Sequence, residues 1–139
     1  MAVERYLADT SVWARLHVEP LARVVVPLVA RGLVGTCGVI DLEVLYGARS
    51  GPEHARVREQ RRGLHWFPMP EEVWERAVEI QAALASRGTH RAASIRELLV
   101  AATAERHALA VLHYDGDYDL IASVTSQPSQ WVVPRGSIP

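Results

Sequence analysis

Residues 97–122, ELLVAATAERHALAVLHYDGDYDLIA, decide the reading of the fold. The first half spells a helix that is apolar nearly all round, through Leu98, Leu99, Val100, Ala101 and Ala102, with one carboxylate, Glu97, at its entrance. A turn follows, then a strand over residues 109–112 with no polar alternation, the pattern of a strand covered on both faces in a parallel sheet. Where the chain must leave that strand come Asp115, Asp117 and Asp119. Open parallel sheets bind ligands beyond the carboxyl ends of their strands, and acids at that edge are placed to hold a cation.

Composition bounds what surrounds this stretch. A chain of 139 residues is one domain, large enough to bury about two-thirds of its unfolded surface. At 49% hydrophobic and 22% charged residues it has the make-up of an ordinary globular protein. No apolar run reaches the length of a membrane span, and Met-Ala-Val-Glu-Arg-Tyr is not a signal-peptide opening, so no membrane role is expected. The single cysteine, Cys37, rules out an internal disulfide framework, fits a reducing cytoplasm and reads as a small buried hydrophobe. A formal net charge of −1 does not announce a nucleic-acid binder. All 15 basic residues are arginine.

Outward from the central stretch, short strands alternate with helices. Residues 5–8 read as a first strand with Asp9 at its carboxyl end, and Asp9 and Ser11 are N-cap candidates for a helix begun by Val12, Trp13 and Leu16. Pro20 opens a helix over 21–31 that ends at Gly32. A second strand over 33–37 precedes a helix over 39–49 that carries Glu43. Ser50-Gly51-Pro52 breaks the pattern before a polar helix at 54–62 and a third strand at 65–69. Pro70, Glu71 and Glu72 start an amphipathic helix that stops at Gly88, with Val73, Ala77, Ile80, Gln81 and Leu84 on one stripe. Residues 130–133 read as a fifth strand. This order implies right-handed βαβ units and a parallel sheet of about five strands with helices on both faces.

The acids at element boundaries have two readings each. Asp9 could simply cap the first helix, and Glu43 could lie on a solvated face. Ser94-Ile95-Arg96-Glu97 matches a capping box, in which Glu97 bonds back to the Ser94 amide. Asp115-Gly116-Asp117 could be turn chemistry. Taken jointly, these acids converge on one sheet edge. Clustered carboxylates repel and raise one another's pKa, so such a group persists mainly where a divalent cation binds. Ligation by oxygen alone points to Mg²⁺ or Mn²⁺ rather than zinc.

Four segments follow in order: Ala8-Asp9-Thr10-Ser11-Val12-Trp13, Asp41-Leu42-Glu43-Val44-Leu45-Tyr46-Gly47-Ala48-Arg49, Glu97-Leu98-Leu99-Val100-Ala101-Ala102 and His113-Tyr114-Asp115-Gly116-Asp117-Tyr118. Together they resemble the four acidic motifs of PIN-domain ribonucleases, most closely the VapC toxins of bacterial VapBC toxin–antitoxin systems, over essentially the whole chain. The resemblance implies a single PIN-like α/β domain over residues 1–139, three-layered, with the first strand between the second and fourth. It implies RNA phosphodiester hydrolysis with Mg²⁺ or Mn²⁺, a homodimer, and a small VapB-like antitoxin whose tail covers the active site. Carried over by position, Asp9, Glu43, Glu97, Asp115 and Asp117 are the catalytic acids, with Asp9, Glu97, Asp115 and Asp117 holding metal. Ser11 supports Asp9 or a water on the metal. One departure stands out. The family usually has aspartate, often preceded by proline, where this chain has Arg96-Glu97, and the added methylene moves the carboxylate by about an ångström, a scale that can cost about a hundredfold in rate.

Two other functions compete. Asp9 after a first strand also suits an Asp-phosphorylated phosphotransfer domain, but those sites place a lysine beside the phosphoryl group and this chain has none. A PIN-like interaction module weakened in catalysis is the non-enzymatic alternative. Around the site, His54, Arg58, Arg61 and Arg62 fall at helical spacing as one basic stripe, either a solvated face or a contact for RNA phosphates. Trp13, Trp66, Trp74 and Trp131 read as core or interface anchors. Val24, Val25, Val26, Leu28 and Val29 exceed one stripe, as in a helix buried on two sides.

Overall fold

In β1 (Tyr6–Ala8) and β4 (Ala110–His113), successive side chains enter opposite cores: Leu7 and Val111 pack on one face of the sheet, Ala8 and Leu112 on the other. This double burial is why the strands carry no polar alternation. A computed structural model, which describes residues 4–139, pairs them with β2 (Val34–Thr36), β3 (His65–Trp66) and β5 (Ser129–Trp131) in one parallel sheet of order β3-β2-β1-β4-β5. The chain lays down β1, β2 and β3 in one direction and returns to the other side of β1 for β4. The order therefore reverses between β1 and β4, and a crevice opens beyond their carboxyl ends.

One core holds helices α3 (Gly38–Tyr46), α5 (Glu71–Ala85), α6 (Ile95–Arg106) and α7 (Asp117–Ala122) against the sheet, through Ile40, Val73, Ile80, Leu84, Leu98 to Ala102, Tyr118 and Ile121. The other holds α1 (Thr10–Trp13) and α2 (Glu19–Ala30) through Val12, Leu21 and Val25. The polar helix α4 (Gly51–Arg61) follows α3, capped by the Ser50 hydroxyl, which accepts from the Glu53 amide. Helix α6 is buried from Glu97 through Ala104, as its apolar sequence requires.

Two glycines are fixed by geometry. Gly32 ends α2 at φ +70°, and the Leu33 amide closes back on the Leu28 carbonyl at 3.0 Å. Gly35 lets β2 run under Phe67, where an added Cβ would lie 2.3 Å from the ring.

The expected three-layer α/β order is what forms, with local differences. Strand β3 is shorter than expected because Pro68 and Pro70 have no N–H to donate to β2. Strand β4 runs one residue later and takes in His113. Helix α2 is not buried on two sides: Leu21 and Val25 are covered, but Val26 is 54% exposed. None of the tryptophans is fully buried; Trp66 and Trp74 face solvent, and Trp13 and Trp131 are half-buried. Among the described residues, no helix is long and apolar enough to cross a membrane.

Candidate active site

Asp9 leaves β1 directly into α1 and caps it, accepting the Ser11 amide on Oδ2 at 3.0 Å. Its other oxygen, Oδ1, accepts from Arg96 Nη1 and from the Tyr118 hydroxyl, each at 2.7 Å. Asp9 is completely buried, and these three donors satisfy its charge. An aspartate so enclosed has no room for a phosphoryl group, which weighs against the phosphotransfer reading.

Arg96 lies among the acids. Its Nη1 pairs with Asp9, its Nε pairs with Glu43 on α3, and its Nη2 lies 4.0 Å from Glu97 Oε2. Burial disfavours the guanidinium charge, but Asp9, with Tyr118, Glu43 and Glu97 behind it, outweighs that and raises its pKa. Glu43, half-buried, therefore shares its guanidinium partner with Asp9.

Glu97 caps α6 and also stands among the acids of the crevice. The capping box is present: Ser94 Oγ accepts the Glu97 amide at 3.1 Å, and Glu97 Oε1 accepts the Ser94 amide at 2.8 Å. Yet a Glu97 oxygen also lies within 4.8 Å of carboxylate oxygens from Asp115 and Asp117. Burial, then a hydrogen bond shared with Asp115, pushes Glu97 up to about 8, while the Ser94 contacts pull the other way. Burial works against Asp115 as well, but the Glu97 hydrogen bond, the Asp117 amide and Arg96 hold it below its ordinary value. The two carboxyl groups share one proton, the behaviour of neighbouring acids that cannot both ionise. Asp115 Oδ1 also accepts the Asp117 amide at 3.0 Å, which folds the loop into α7.

The surrounding side chains are neutral and fixed. Burial, then Asp9, raises the Tyr118 hydroxyl well above its ordinary value, so it remains a donor to Asp9. Burial lowers His113 against the pull of Asp119, Asp9 and Asp115. Its Nδ1 accepts the Asp115 amide at 3.2 Å, and its ring packs 5.0 Å from those of Tyr118 and Trp131.

Glu97, Asp115 and Asp117 fit a divalent cation: three carboxylates offer oxygen atoms within the span of one hard ion's shell, and their shared proton marks the charge such an ion would replace. Asp9 sits beside this trio with its oxygens already engaged.

Two supporting roles are corrected. The Ser11 hydroxyl does not reach Asp9; it accepts the Tyr114 amide at 2.9 Å, tying α1 to the end of β4, and only the Ser11 backbone serves the acid. Arg61 is not on the basic stripe. It is buried, donating to Asp41 Oδ1 at 2.8 Å and Thr36 Oγ1 at 3.0 Å, with its guanidinium 4.8 Å from the Trp13 ring centre. A lone acid at Asp41, on the helix before it, claims this end of α4 for the interior. Arg58 and Arg62 stay exposed.

Sequence reasoning missed Arg96 as a site member, although its replacement of the usual proline was the signal. It also missed Tyr118, whose place in the first turn of α7 follows from Asp115 and Asp117. Arg135, from the C-terminal segment, was invisible to motif reading; its Nη2 lies 3.2 Å from where a Gly116 Cβ would be, beside the acidic loop.

The PIN domain profile matches residues 6–124. The chain belongs to the PIN-domain family. Its relatives lie among the VapC members: Ribonuclease VapC21 of Mycobacterium tuberculosis is 43% identical over 134 residues, covering 96% of this chain and 97% of the relative. Ribonuclease VapC51 of the same organism is 44% identical over 134 residues, with the same coverage of 96% and 97%. This PIN domain also shares its fold with the DNA-bound VapBC of Salmonella typhimurium (TM-score 0.76, 17% identity, 94% of this chain and 100% of that one). VapBC2 of Rickettsia felis, bound to a promoter DNA fragment, matches at a TM-score of 0.74 and 12% identity over 91% of this chain and 98% of that one.

Proposed function

We propose that this PIN domain is an endoribonuclease dependent on Mg²⁺ or Mn²⁺, acting as the toxin of a toxin–antitoxin pair. The observation that carries the reading is the carboxylate trio of Glu97, Asp115 and Asp117 at the sheet's reversal point, beside buried Asp9 and half-buried Glu43. A divalent ion bound there supplies Lewis-acid polarisation of the phosphoryl group and a more acidic attacking water. Glu97, Asp115 and Asp117 hold that ion. Asp9, held in place by Arg96, Tyr118 and the Ser11 amide, stands beside it. His113 and Tyr118 pack under the loop and keep its acids in place.

The substrate is RNA, approached along a rim where Arg58 and Arg62 of α4 and Arg135 beside the acidic loop offer positive charge. The RNA-cleaving names of the VapC relatives support this substrate. A VapB-like antitoxin and a second copy of the chain are the protein partners, and the cytoplasm is the compartment. Large exposed apolar side chains at Leu42, Tyr46, Trp74, Val78 and Ile95 support such partners.

Incubation of purified protein, free of antitoxin, with structured RNA tests this reading. Cleavage that requires Mg²⁺ or Mn²⁺ and stops in chelator is expected. Intact RNA under every metal condition would favour the second reading, a catalytically silent interaction module, to which the occupation of Asp9 and Glu43 by Arg96 lends support.

A further inference from the structure

The geometry points to Arg96 as a built-in second cation, so that this site takes one divalent ion rather than two; the inference rests on the nuclease reading above. Five carboxylates surround the crevice, and Arg96 divides them. The guanidinium spends a different nitrogen on each of three acids: Nη1 on Asp9 at 2.7 Å, Nε on Glu43, and Nη2 toward Glu97 at 4.0 Å. Glu97 also faces Asp115 and Asp117, and among the described residues those three acids form the one group of three whose oxygens lie within 4.8 Å of one another. Glu97 thus stands between a half already filled by a fixed cation and a half shaped for a mobile one.

Two-metal nucleases place two cations about 4 Å apart to clamp the attacking and leaving oxygens. Here a second ion would have to take Asp9 from Arg96. Asp9 is wholly buried, and the Arg96 side chain is only 24% exposed, so the exchange would strip a hydrogen-bonded charge pair in low dielectric. Arginine is suited to the substitution because its planar fork carries five donors, enough to hold the acids and still meet a phosphoryl oxygen.

Calorimetric titration of the metal-free, full-length protein with MnCl₂ tests the count. Wild type is expected to bind one Mn²⁺ per chain. Arg96→Ala, which vacates Asp9 and Glu43, is expected to bind two, and Arg96→Lys, which keeps a cation, one. Two ions on wild type, or one on a folded Arg96→Ala, overturns the proposal. If Arg96→Ala does not fold, Arg96→Gln, of similar size and without charge, replaces it, and the wild-type count alone still decides. The count needs no RNA: one ion without cleavage overturns the nuclease reading only, and two ions with cleavage overturns this one only.

Discussion

The Tyr118 hydroxyl donates to Asp9 Oδ1 at 2.7 Å, joining residues 109 positions apart at the centre of the crevice. The bond ties the first turn of α7 to the end of β1, so the loop carrying Asp115 and Asp117 is anchored through the acid it is meant to work beside. Tyr118→Phe keeps the ring stacked on His113 and removes only the donor. Asp9 retains Arg96 and the Ser11 amide, so the cost should be about 1.5–3 kcal/mol, the range for a hydrogen bond to a charged group. Urea unfolding of the two proteins measures it, and an unchanged midpoint would remove the anchoring role.

Asp9→Asn keeps one oxygen acceptor, enough for Tyr118, gives up the second oxygen that the Ser11 amide uses, and deletes the charge facing Arg96. RNA cleavage should fall by at least about a hundredfold, the scale set by removing one preorganised electrostatic group. The protein should stay folded by circular dichroism. Undiminished cleavage by the folded variant would contradict a catalytic Asp9.

Glu97 caps α6 and, on the proposed reading, also holds the metal, and its variants separate the roles. Glu97→Gln still accepts the Ser94 amide, so the helix start should survive. It should weaken Mg²⁺ dependence and cleavage strongly while stabilising the metal-free protein, because one of two crowded carboxylates is gone. Glu97→Asp should retain or raise cleavage but lose the reach to the Ser94 amide, at about 0.5–1 kcal/mol. Cleavage against Mg²⁺ concentration, with thermal melts in chelator, reads both. An unchanged Mg²⁺ dependence in Glu97→Gln would leave only the cap.

The same residue gives a pH signature. Glu97 titrates near 8 when folded and near 4.5 when exposed, so between those values the folded protein binds the extra proton, and stability falls as pH rises. His113 acts oppositely, since its lowered pKa makes stability rise with pH up to its ordinary 6.5. The Asp115 contribution lies below its ordinary 3.8. From about pH 6.5 to 8 Glu97 therefore dominates, and the melting temperature of the metal-free protein should decline. Excess Mg²⁺ should flatten the decline, and Glu97→Gln should abolish it. A flat wild-type profile in chelator would contradict the shared proton.

Arg61→Ala should cost about 3–5 kcal/mol, because it strands the Asp41 carboxylate beside Thr36 and uncovers Trp13. Arg58→Ala, on the exposed face, should leave stability within about 0.5 kcal/mol of wild type. Guanidinium unfolding distinguishes them, and equal midpoints would return Arg61 to the surface stripe.

Local signals in the chain were enough for the architecture and the acids. Unbroken apolar strands, proline and glycine at helix ends and the S-x-x-E start of α6 are consequences of backbone chemistry within a few residues, so they are legible one segment at a time. Apart from Glu43, inside α3, the acids were legible because each sits where a strand or helix begins or ends, and a parallel sheet gathers such ends at one edge. What only the tertiary structure decided is how charge is partitioned there. Arg61 and Arg58 share a helix three residues apart, yet Asp41 draws one inside and leaves the other in water. Ser11 turned its hydroxyl to Tyr114 rather than Asp9 because β4 ends beside it, 103 residues further along the chain. Arg96 reached Asp9 across 87 residues. Ion pairs form between whatever charges packing brings within a few ångströms, and burial then sets their strength; neither distance nor burial is written in the order of the residues.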